Sequence, residues 1–201
     1  MPAYNEAEGI ALFLHELKEE LAGYETTFVV VNDCSTDATA EVVAQLAEQG
    51  FPVIIQTNAR NSGHGPSTMN ALRAALASQA EIIVATDGDG QFLGSDVRRL
   101  VELVAGGPID VCEGVRTSRT DPAYRKVTTA TTRGLVWSRV RQMPRDANTP
   151  LRVYQRAALA SLIDAIPESA MTPNLFMSML ARKRGLRIEE VRVQSIPRRG
   201  A

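Results

Sequence analysis

Short β-branched runs alternate with amphipathic helices through the first half of the chain, and this alternation constrains the fold more than any other feature. Apolar side chains at helical spacing predict a first helix over 6–22. A helical pattern also lies between each consecutive pair of the strands predicted over 27–32, 53–56, 81–86 and 110–114. Parallel strands need such crossover connections. The pattern therefore predicts an α/β fold with a mostly parallel, Rossmann-like sheet and helices on both faces.

The second half of the chain is less regular. Its predicted order is a basic helix, a turn, two helices and a final strand, near 124–140, 144–150, 155–166, 173–184 and 187–194. No repeat or linker interrupts the pattern, so we expect residues 1–201 to form a single domain. A sheet of this kind normally has a strand ahead of the first turn, and the last residues have the composition of a loop. We therefore expect the domain to lack its first strand and a C-terminal segment.

The composition indicates a soluble protein that works in a reducing compartment. No apolar run approaches the roughly 20 residues that a membrane-spanning helix needs. The two cysteines, Cys34 and Cys112, do not form a disulfide framework in a chain of this size. We expect a cytoplasmic location and no nucleic-acid partner.

The charges are unevenly distributed. Residues 1–50 contain ten acidic side chains and one lysine, whereas residues 116–156 contain nine arginines and one lysine against two aspartates. A concentration of arginines favours a surface that meets phosphates, on a substrate or on the inner face of a membrane. Peripheral membrane contact is therefore a further expectation.

Polar clusters follow several of the predicted strands. In an open parallel sheet, ligands bind outside the carboxyl ends of the strands. The clusters that fall at such places are residues 2–6, 32–37, 58–66 and 87–91. Because these ends share one edge of the sheet, the sequence predicts a single binding site there.

Asp87 and Asp89 form the sharpest of these features. Alternate carboxylates in a glycine-containing turn can approach one divalent ion together with diphosphate oxygens, and Mg²⁺ typically takes only one or two protein carboxylates. We expect Mg²⁺ or Mn²⁺ at Asp87 and Asp89. The alternative is an ordinary turn, since Asp and Gly are frequent in turns.

Asp33 and the loop before the third helix suit a nucleotide. A carboxylate at a strand end can accept hydrogen bonds from the N–H groups of a nucleobase. The segment Asn61-Ser-Gly-His-Gly-Pro66 allows close backbone approach and precedes a helix N-terminus, where anions bind.

The segments Pro2-Ala-Tyr-Asn-Glu6, Val31-Asn-Asp-Cys-Ser-Thr-Asp-Ala-Thr39, Asn61-Ser-Gly-His-Gly65 and Thr86-Asp-Gly-Asp-Gly-Gln91 resemble, in order and spacing, family 2 glycosyltransferases. The resemblance is strongest to the dolichyl- and polyprenyl-phosphate sugar transferases. It implies the GT-A fold, a UDP- or GDP-sugar donor and inversion at the anomeric carbon. Two residues depart from the family pattern. The pair Asn32-Asp33 stands where the family usually has two acidic residues, and Cys34 stands where a glycine is common.

The resemblance also implies roles for individual residues. Asp33 would read the base, Asp87 and Asp89 would serve the metal and diphosphate, and Asp89 would take part in catalysis. The remaining residues of the nucleotide-sugar pocket would be Pro2, Tyr4, Glu6, Asn61, Gly63 and Gln91.

The segment Asp146-Ala-Asn-Thr-Pro-Leu-Arg152 resembles the acceptor segment of the family, with Leu151 where an aromatic residue is commoner. We expect Asp146 to be the catalytic carboxylate that takes the acceptor proton or orients an ionised acceptor. The arginines expected to contact an anionic acceptor, such as a lipid phosphate, are Arg116, Arg119, Arg125, Arg133 and Arg152.

Three other readings compete with a glycosyltransferase. A strand that ends in Asp-x-Asp also resembles the haloacid-dehalogenase phosphatases, but the motif lies far from the N-terminus and its usual later partners are absent. A nucleotidyltransferase and a non-catalytic nucleotide-sugar-binding module on the same fold remain open.

Overall fold

Seven strands and six helices make up the part of the chain that the computed structural model describes, residues 1–117 and 144–199. The strands are β1 (Pro2–Ala3), β2 (Phe28–Asn32), β3 (Val53–Thr57), β4 (Ile82–Ala85), β5 (Val111–Arg116), β6 (Arg152–Gln155) and β7 (Ile188–Val193). The helices are α1 (Ile10–Glu20), α2 (Thr39–Glu48), α3 (His64–Ala77), α4 (Gly94–Gly106), α5 (Arg156–Ile163) and α6 (Pro173–Lys183). The basic helix predicted near 124–140 lies outside the described residues.

The strands form two sheets that meet at the start of the chain. One sheet has the order β1-β2-β3 and is parallel throughout, and the other has the order β4-β6-β5-β7. The backbone N–H of Gly88 donates to the carbonyl oxygen of Pro2 at 2.9 Å and links the two. The α/β architecture with a parallel sheet is thus confirmed.

Strand β6 departs from the predicted pattern. It runs antiparallel to both β4 and β5, whereas β7 is parallel to β5. The sequence pattern predicts a turn and then a helix here, without an intervening strand. The hydrophobic pattern misses this strand because β6 begins with a charged residue, Arg152, which is completely buried in the structure.

Alternate strand residues pack into two apolar layers, one on each face of the sheets. Val30 of β2 and Cys112 of β5 face the layer that contains side chains of α1, α2 and α4. Ile83 of β4 and Val111 of β5 face the layer that contains side chains of α3, α5 and α6. Full burial of each large apolar side chain is worth about 1.5–3 kcal/mol, so the two layers hold the strand ends in place. Within the described residues, no helix has the length and hydropathy needed to cross a membrane.

Hydrogen bonds join the loop after β1 to the loop after β2. The backbone N–H of Glu6 donates to Thr39 Oγ1 at 2.8 Å, and that of Ala7 donates to Asp37 Oδ2 at 3.1 Å. Two residues of these loops adopt the left-handed conformation, Asn5 at φ +55° and Cys34 at φ +59°. Asn5 Oδ1 accepts a hydrogen bond from the backbone N–H of Thr36 at 2.9 Å, and this bond also joins the two loops.

The left-handed backbone at Cys34 predicts that glycine stabilises the fold at this position. A left-handed non-glycine residue costs roughly 1–2 kcal/mol, and the extra unfolded-state freedom of glycine offsets about 0.5–1 kcal/mol of that gain. We expect Cys34→Gly to raise the free energy of unfolding by about 0.5–1 kcal/mol in urea denaturation. Cys34→Ala is the control, because it removes the thiol but keeps the strained backbone. Equal stability of the two variants would contradict the assignment.

Candidate active site

The turn after β4 passes unusually close to β1. A Cβ atom on Gly88 would lie 3.0 Å from Ala3 Cβ and 3.0 Å from the Pro2 carbonyl oxygen, so only glycine fits there without displacement. Gly90 has φ +64°, which also favours glycine. These two glycines set Asp87 and Asp89 at the edge of the sheet beside Pro2.

Asp87 and Asp89 are carboxylates whose charges are poorly stabilised by the protein itself. Burial raises the pKa of Asp87 to about 6; the nearby His64 lowers it, and Asp89 adds a smaller increase. His64 Nε2 lies 3.7 Å from Asp87 Oδ1. Burial also raises the pKa of Asp89, although its Oδ1 accepts the backbone N–H of Gln91 at 3.1 Å. A divalent cation would stabilise both charges.

The donor set fits a hard divalent cation that shares its ligands with a substrate. Among the described residues, no three His, Cys, Asp or Glu side chains converge into a ready metal cage. Two carboxylates are nevertheless a typical protein contribution to Mg²⁺, which leaves other positions to water and phosphate oxygens. The residues present therefore fit Mg²⁺ or Mn²⁺ held jointly with a diphosphate.

Asp33 anchors the loop that leads into α3. It is 3% exposed, and its carboxylate accepts hydrogen bonds from Asn58 Nδ2 and from the backbone N–H groups of Ser62 and Gly63, each at 2.8 Å. Burial acts to raise the pKa of Asp33, but the hydrogen bonds from Ser62, Asn58 and Gly63 outweigh it and hold the pKa below the usual value. The residue predicted to read a base thus also shapes the loop.

That loop owes its form to a glycine. Gly63 has φ +87°, and its N–H is also within 3.2 Å of Asn61 Oδ1. The helix begins at the next residue, His64. Asn61 and Gly63, both predicted from the sequence, therefore lie at the same edge as Asp87.

Glu6 and Tyr4 extend the edge on its other side. Tyr4 is 43% exposed, whereas Pro2 is buried. Glu6 Oε2 accepts Arg198 Nε at 2.8 Å. Burial raises the pKa of Glu6, and Arg198 opposes this increase. Arg198 was not predicted from the sequence, although the arginine pair that follows Pro197 is a signal that could have identified it.

The segment after β7 brings Arg198 to the site. The backbone N–H of Ile196 donates to the Gln91 carbonyl at 3.0 Å, and that of Arg199 donates to the Asp89 carbonyl at 3.1 Å. Arg199 also forms an ion pair with Glu16 of α1. The segment therefore lies along the loop that carries Asp89 and Gln91.

Asp146 and Arg116 form a two-point ion pair at the end of β5. Arg116 Nε lies 2.7 Å from Asp146 Oδ2, and Arg116 Nη2 lies 2.9 Å from Asp146 Oδ1. Arg116 is close enough to Asp87 to lower the pKa of that carboxyl group. Two residues predicted for the acceptor side are thus brought together next to the donor side.

Arg152 lies elsewhere and is not available to a phosphate. Its side chain is 0% exposed, and its guanidinium donates to Glu113 Oε1 at 2.8 Å and to the carbonyls of Ala147 and Thr149 at 2.8 and 3.2 Å. Arg182 Nη1 lies 2.9 Å from the other oxygen of Glu113. The reason for this placement is the buried Glu113, which requires a cation. The predicted contacts Arg119, Arg125 and Arg133 lie outside the described residues.

The profile of Glycosyl transferase family 2 matches residues 1–163. The chain belongs to this family. This family 2 glycosyltransferase domain is 27% identical over 201 residues to an uncharacterized protein of Methanocaldococcus jannaschii, and the match covers 98% of the chain and 79% of that protein.

A second relative is an undecaprenyl-phosphate 4-deoxy-4-formamido-L-arabinose transferase of Pectobacterium carotovorum. It is 26% identical over 186 residues, which cover 91% of the glycosyltransferase domain and 55% of that protein. The chain thus spans about half the length of this curated transferase.

Solved structures share the fold. Glucosyl-3-phosphoglycerate synthase from Mycobacterium tuberculosis, in complex with Mn²⁺, UDP and glucosyl-3-phosphoglycerate, superposes with a TM-score of 0.71 at 20% identity, covering 100% of the domain and 70% of the synthase. The mannosyltransferase PcManGT from Pyrobaculum calidifontis, in complex with GDP-Man and Mn²⁺, superposes with a TM-score of 0.63 at 20% identity. The match covers 99% of the domain and 56% of the mannosyltransferase. The GT-A fold expected from the sequence is confirmed.

The raised pKa of Asp87 predicts a pH-dependent gain in stability for Asp87→Asn. Because the folded state raises the pKa from 3.8 to about 6, the ionised carboxylate destabilises the metal-free fold, increasingly as pH rises from 4 to 6 and fully above 6. We expect the variant to exceed the wild type in free energy of unfolding, with a margin roughly 1 kcal/mol larger at pH 8 than at pH 5. The measurement is urea unfolding in EDTA.

The matched control is Asp33→Asn, since the pKa of Asp33 is lowered in the folded state. It should be less stable than the wild type at both pH values. A lower free energy of unfolding for Asp87→Asn than for the wild type at pH 8 would show that the ionised carboxylate does not destabilise the metal-free fold.

Proposed function

We propose that this domain is an inverting glycosyltransferase that moves a sugar from a nucleotide-diphospho-sugar to an acceptor with the help of Mg²⁺ or Mn²⁺. The observation that carries the proposal is the placement of two half-buried carboxylates, Asp87 and Asp89, in one glycine-containing turn at the edge of the sheet, where partial burial raises the pKa of both. Membership of family 2 supports it, as do the Mn²⁺ and nucleotide ligands of two structures with this fold.

The donor would lie along the carboxyl edge, with its nucleotide against Pro2, Tyr4, Asp33 and the 61–63 loop. Asp87 and Asp89 would hold the metal, which when bound neutralises the negative charge on the departing diphosphate. Arg198 forms an ion pair with Glu6 and is near enough to Asp89 to lower the pKa of the Asp89 carboxyl group. It therefore adds a positive charge where the diphosphate would lie, and Gln91 would reach the sugar.

The acceptor would approach from the side of Arg116 and Asp146. In a single displacement, an acceptor oxygen bonds to the anomeric carbon as the bond from that carbon to the diphosphate breaks, which inverts the configuration. The Arg116 guanidinium holds Asp146 in one orientation through a two-point ion pair. We propose a phosphate acceptor, which is already anionic and needs orientation more than it needs a base.

A lipid phosphate is the acceptor class that we favour. One relative of the chain is the undecaprenyl-phosphate 4-deoxy-4-formamido-L-arabinose transferase of Pectobacterium carotovorum. The concentration of arginines over 116–156 suits anionic headgroups at the inner face of a membrane. Both the acceptor and the peripheral membrane contact belong to the proposal.

Asp89→Ala tests the donor half. We expect the Mn²⁺-dependent thermal shift with UDP or GDP to disappear and kcat/KM for sugar transfer to fall by about 10³-fold, equivalent to about 4 kcal/mol. Asp164→Ala is the control, because Asp164 is an exposed carboxylate at the end of α5. Absence of both donor binding and turnover in the wild type would favour a function other than transfer, and release of inorganic diphosphate from a nucleoside triphosphate would identify a nucleotidyltransferase.

Asp146→Asn tests the acceptor half. With an isoprenyl phosphate as acceptor, we expect kcat to fall by only about 10-fold, less than the 10²–10⁴ that general-base catalysis supplies. The measurement is steady-state transfer from the donor identified by thermal shift, and the KM for that donor should not change. A loss of about 10²-fold or more would identify Asp146 as a general base and point to a hydroxyl acceptor.

A further inference from the structure

The segment after β7, residues 194–199, is bound to the rest of the fold near both of its ends. At its start, Asp96 in the first turn of α4 accepts the backbone N–H of Gln194 on its Oδ2 at 2.8 Å. At its other end, the Arg199 guanidinium forms an ion pair with Glu16 of α1. Arg198 lies between these two anchors in the chain.

Asp96 is a buried carboxylate whose two oxygens have different partners. The residue is 8% exposed, and its Oδ1 accepts Arg99 Nη2 at 2.8 Å. The same guanidinium nitrogen also donates to the backbone carbonyl oxygen of Arg192. The carboxylate and the guanidinium together therefore hold the end of β7 and the residue after it against the first turn of α4, where the helix dipole also favours a negative charge.

Glu16 joins α1 to the start of α4 and to the far end of the segment. Its Oε1 accepts the backbone N–H of Gly94, and its Oε2 pairs with Arg199. Arg199 Nε donates to the carbonyl oxygen of Gly90 at 3.0 Å, and the carbon atom of its guanidinium lies 5.4 Å from the centroid of the Phe13 ring. Three separate elements thus hold the Arg199 side chain.

Between the two anchors, the segment runs along the donor-side loop. An isolated antiparallel bridge joins Phe92 to Ser195. Three residues later, the Arg198 side chain extends to Glu6 and pairs with its carboxylate at 2.8 Å. The position of this guanidinium on the donor side therefore depends on a backbone that is fixed from outside the donor side.

We propose that Asp96 and Glu16 are positioning residues of the transferase, which act through the segment 194–199 to place Arg198 for the donor diphosphate. This inference rests on the proposed function, because it takes the diphosphate to lie beside Arg198. A binding group that is held in place before the ligand arrives loses less conformational freedom on binding. The two carboxylates would therefore raise the affinity for a nucleoside diphosphate without contacting it.

The test is a double-mutant cycle between Asp96 and Arg198, measured as the Kd of UDP or GDP in the presence of Mn²⁺. We expect Arg198→Ala to raise the Kd by about 10-fold or more, since hydrogen bonds to charged groups are strong. Asp96→Asn alone should raise it by about 5-fold, because an amide has one acceptor oxygen for the two donors. In the Arg198→Ala protein, Asp96→Asn should change the Kd by less than about 2-fold.

Two results of the cycle would overturn the proposal. One is an effect of Asp96→Asn that persists in full in the Arg198→Ala protein, because Asp96 would then act independently of Arg198. The other is a wild type that binds the nucleotide while Asp96→Asn binds it equally well. A wild type that binds neither UDP nor GDP would instead overturn the proposed function, and this inference with it.

Hydrogen exchange without nucleotide separates local release of the segment from a general loss of stability. In Asp96→Asn, the amides of Gln194 and Ile196 should exchange about 10-fold faster or more, whereas the amides of β2 should keep their rates. Equal acceleration of both sets would contradict a positioning role for Asp96.

Glu16→Gln tests the second anchor. It removes the charge that pairs with Arg199, so we expect the Kd of the nucleotide to rise by about 3-fold or more. Glu19→Gln is the matched control, because Glu19 is an exposed carboxylate on the same helix, and its Kd should equal that of the wild type. Equal Kd values for Glu16→Gln and Glu19→Gln would overturn the role of Glu16.

Discussion

The carboxylate of Asp33 fixes the geometry on which the donor side depends. Its three hydrogen bonds join the end of β2 to the loop over 58–63, and that loop determines where α3 begins. The first residue of α3 is His64, which reaches to within 3.7 Å of Asp87. A single buried side chain thus sets the distance between three loops, and its lowered pKa keeps it charged over the whole range of physiological pH.

The two halves of the site are built by different means. On the donor side, backbone N–H groups of glycine-containing turns donate to Asp33 and Asp89, and burial still raises the pKa of Asp87 and of Asp89. The acceptor side uses ion pairs: Arg116 holds Asp146, and the buried Arg152 holds the turn that follows Asp146 through two carbonyls. Removal of one partner of a buried pair such as Glu113–Arg152 typically costs about 3–5 kcal/mol, so this side is rigid for a structural reason.

The edge of the sheet could be predicted from the sequence because the carboxyl ends of parallel strands must lie together. That rule brought Glu6, Asp33, Asn61 and Asp87 to one place without knowledge of any contact. Arg152 could not be placed in the same way, since its partner Glu113 lies 39 residues earlier on β5. The antiparallel course of β6, which makes that pairing possible, leaves no mark in the hydrophobic pattern. The contact of Arg198 with Glu6 spans 192 residues and has no local signal.

The course of the segment after β7 has a consequence for biosynthesis. Asp89 and Gln91 emerge from the ribosome early, but the backbone that lies along them, over 195–199, is made roughly a hundred residues later. At about 5–20 residues per second, that interval is on the order of ten seconds. During translation the loop over 89–91 therefore stays uncovered until residues 195–199 have been made, and the donor side cannot be complete before then.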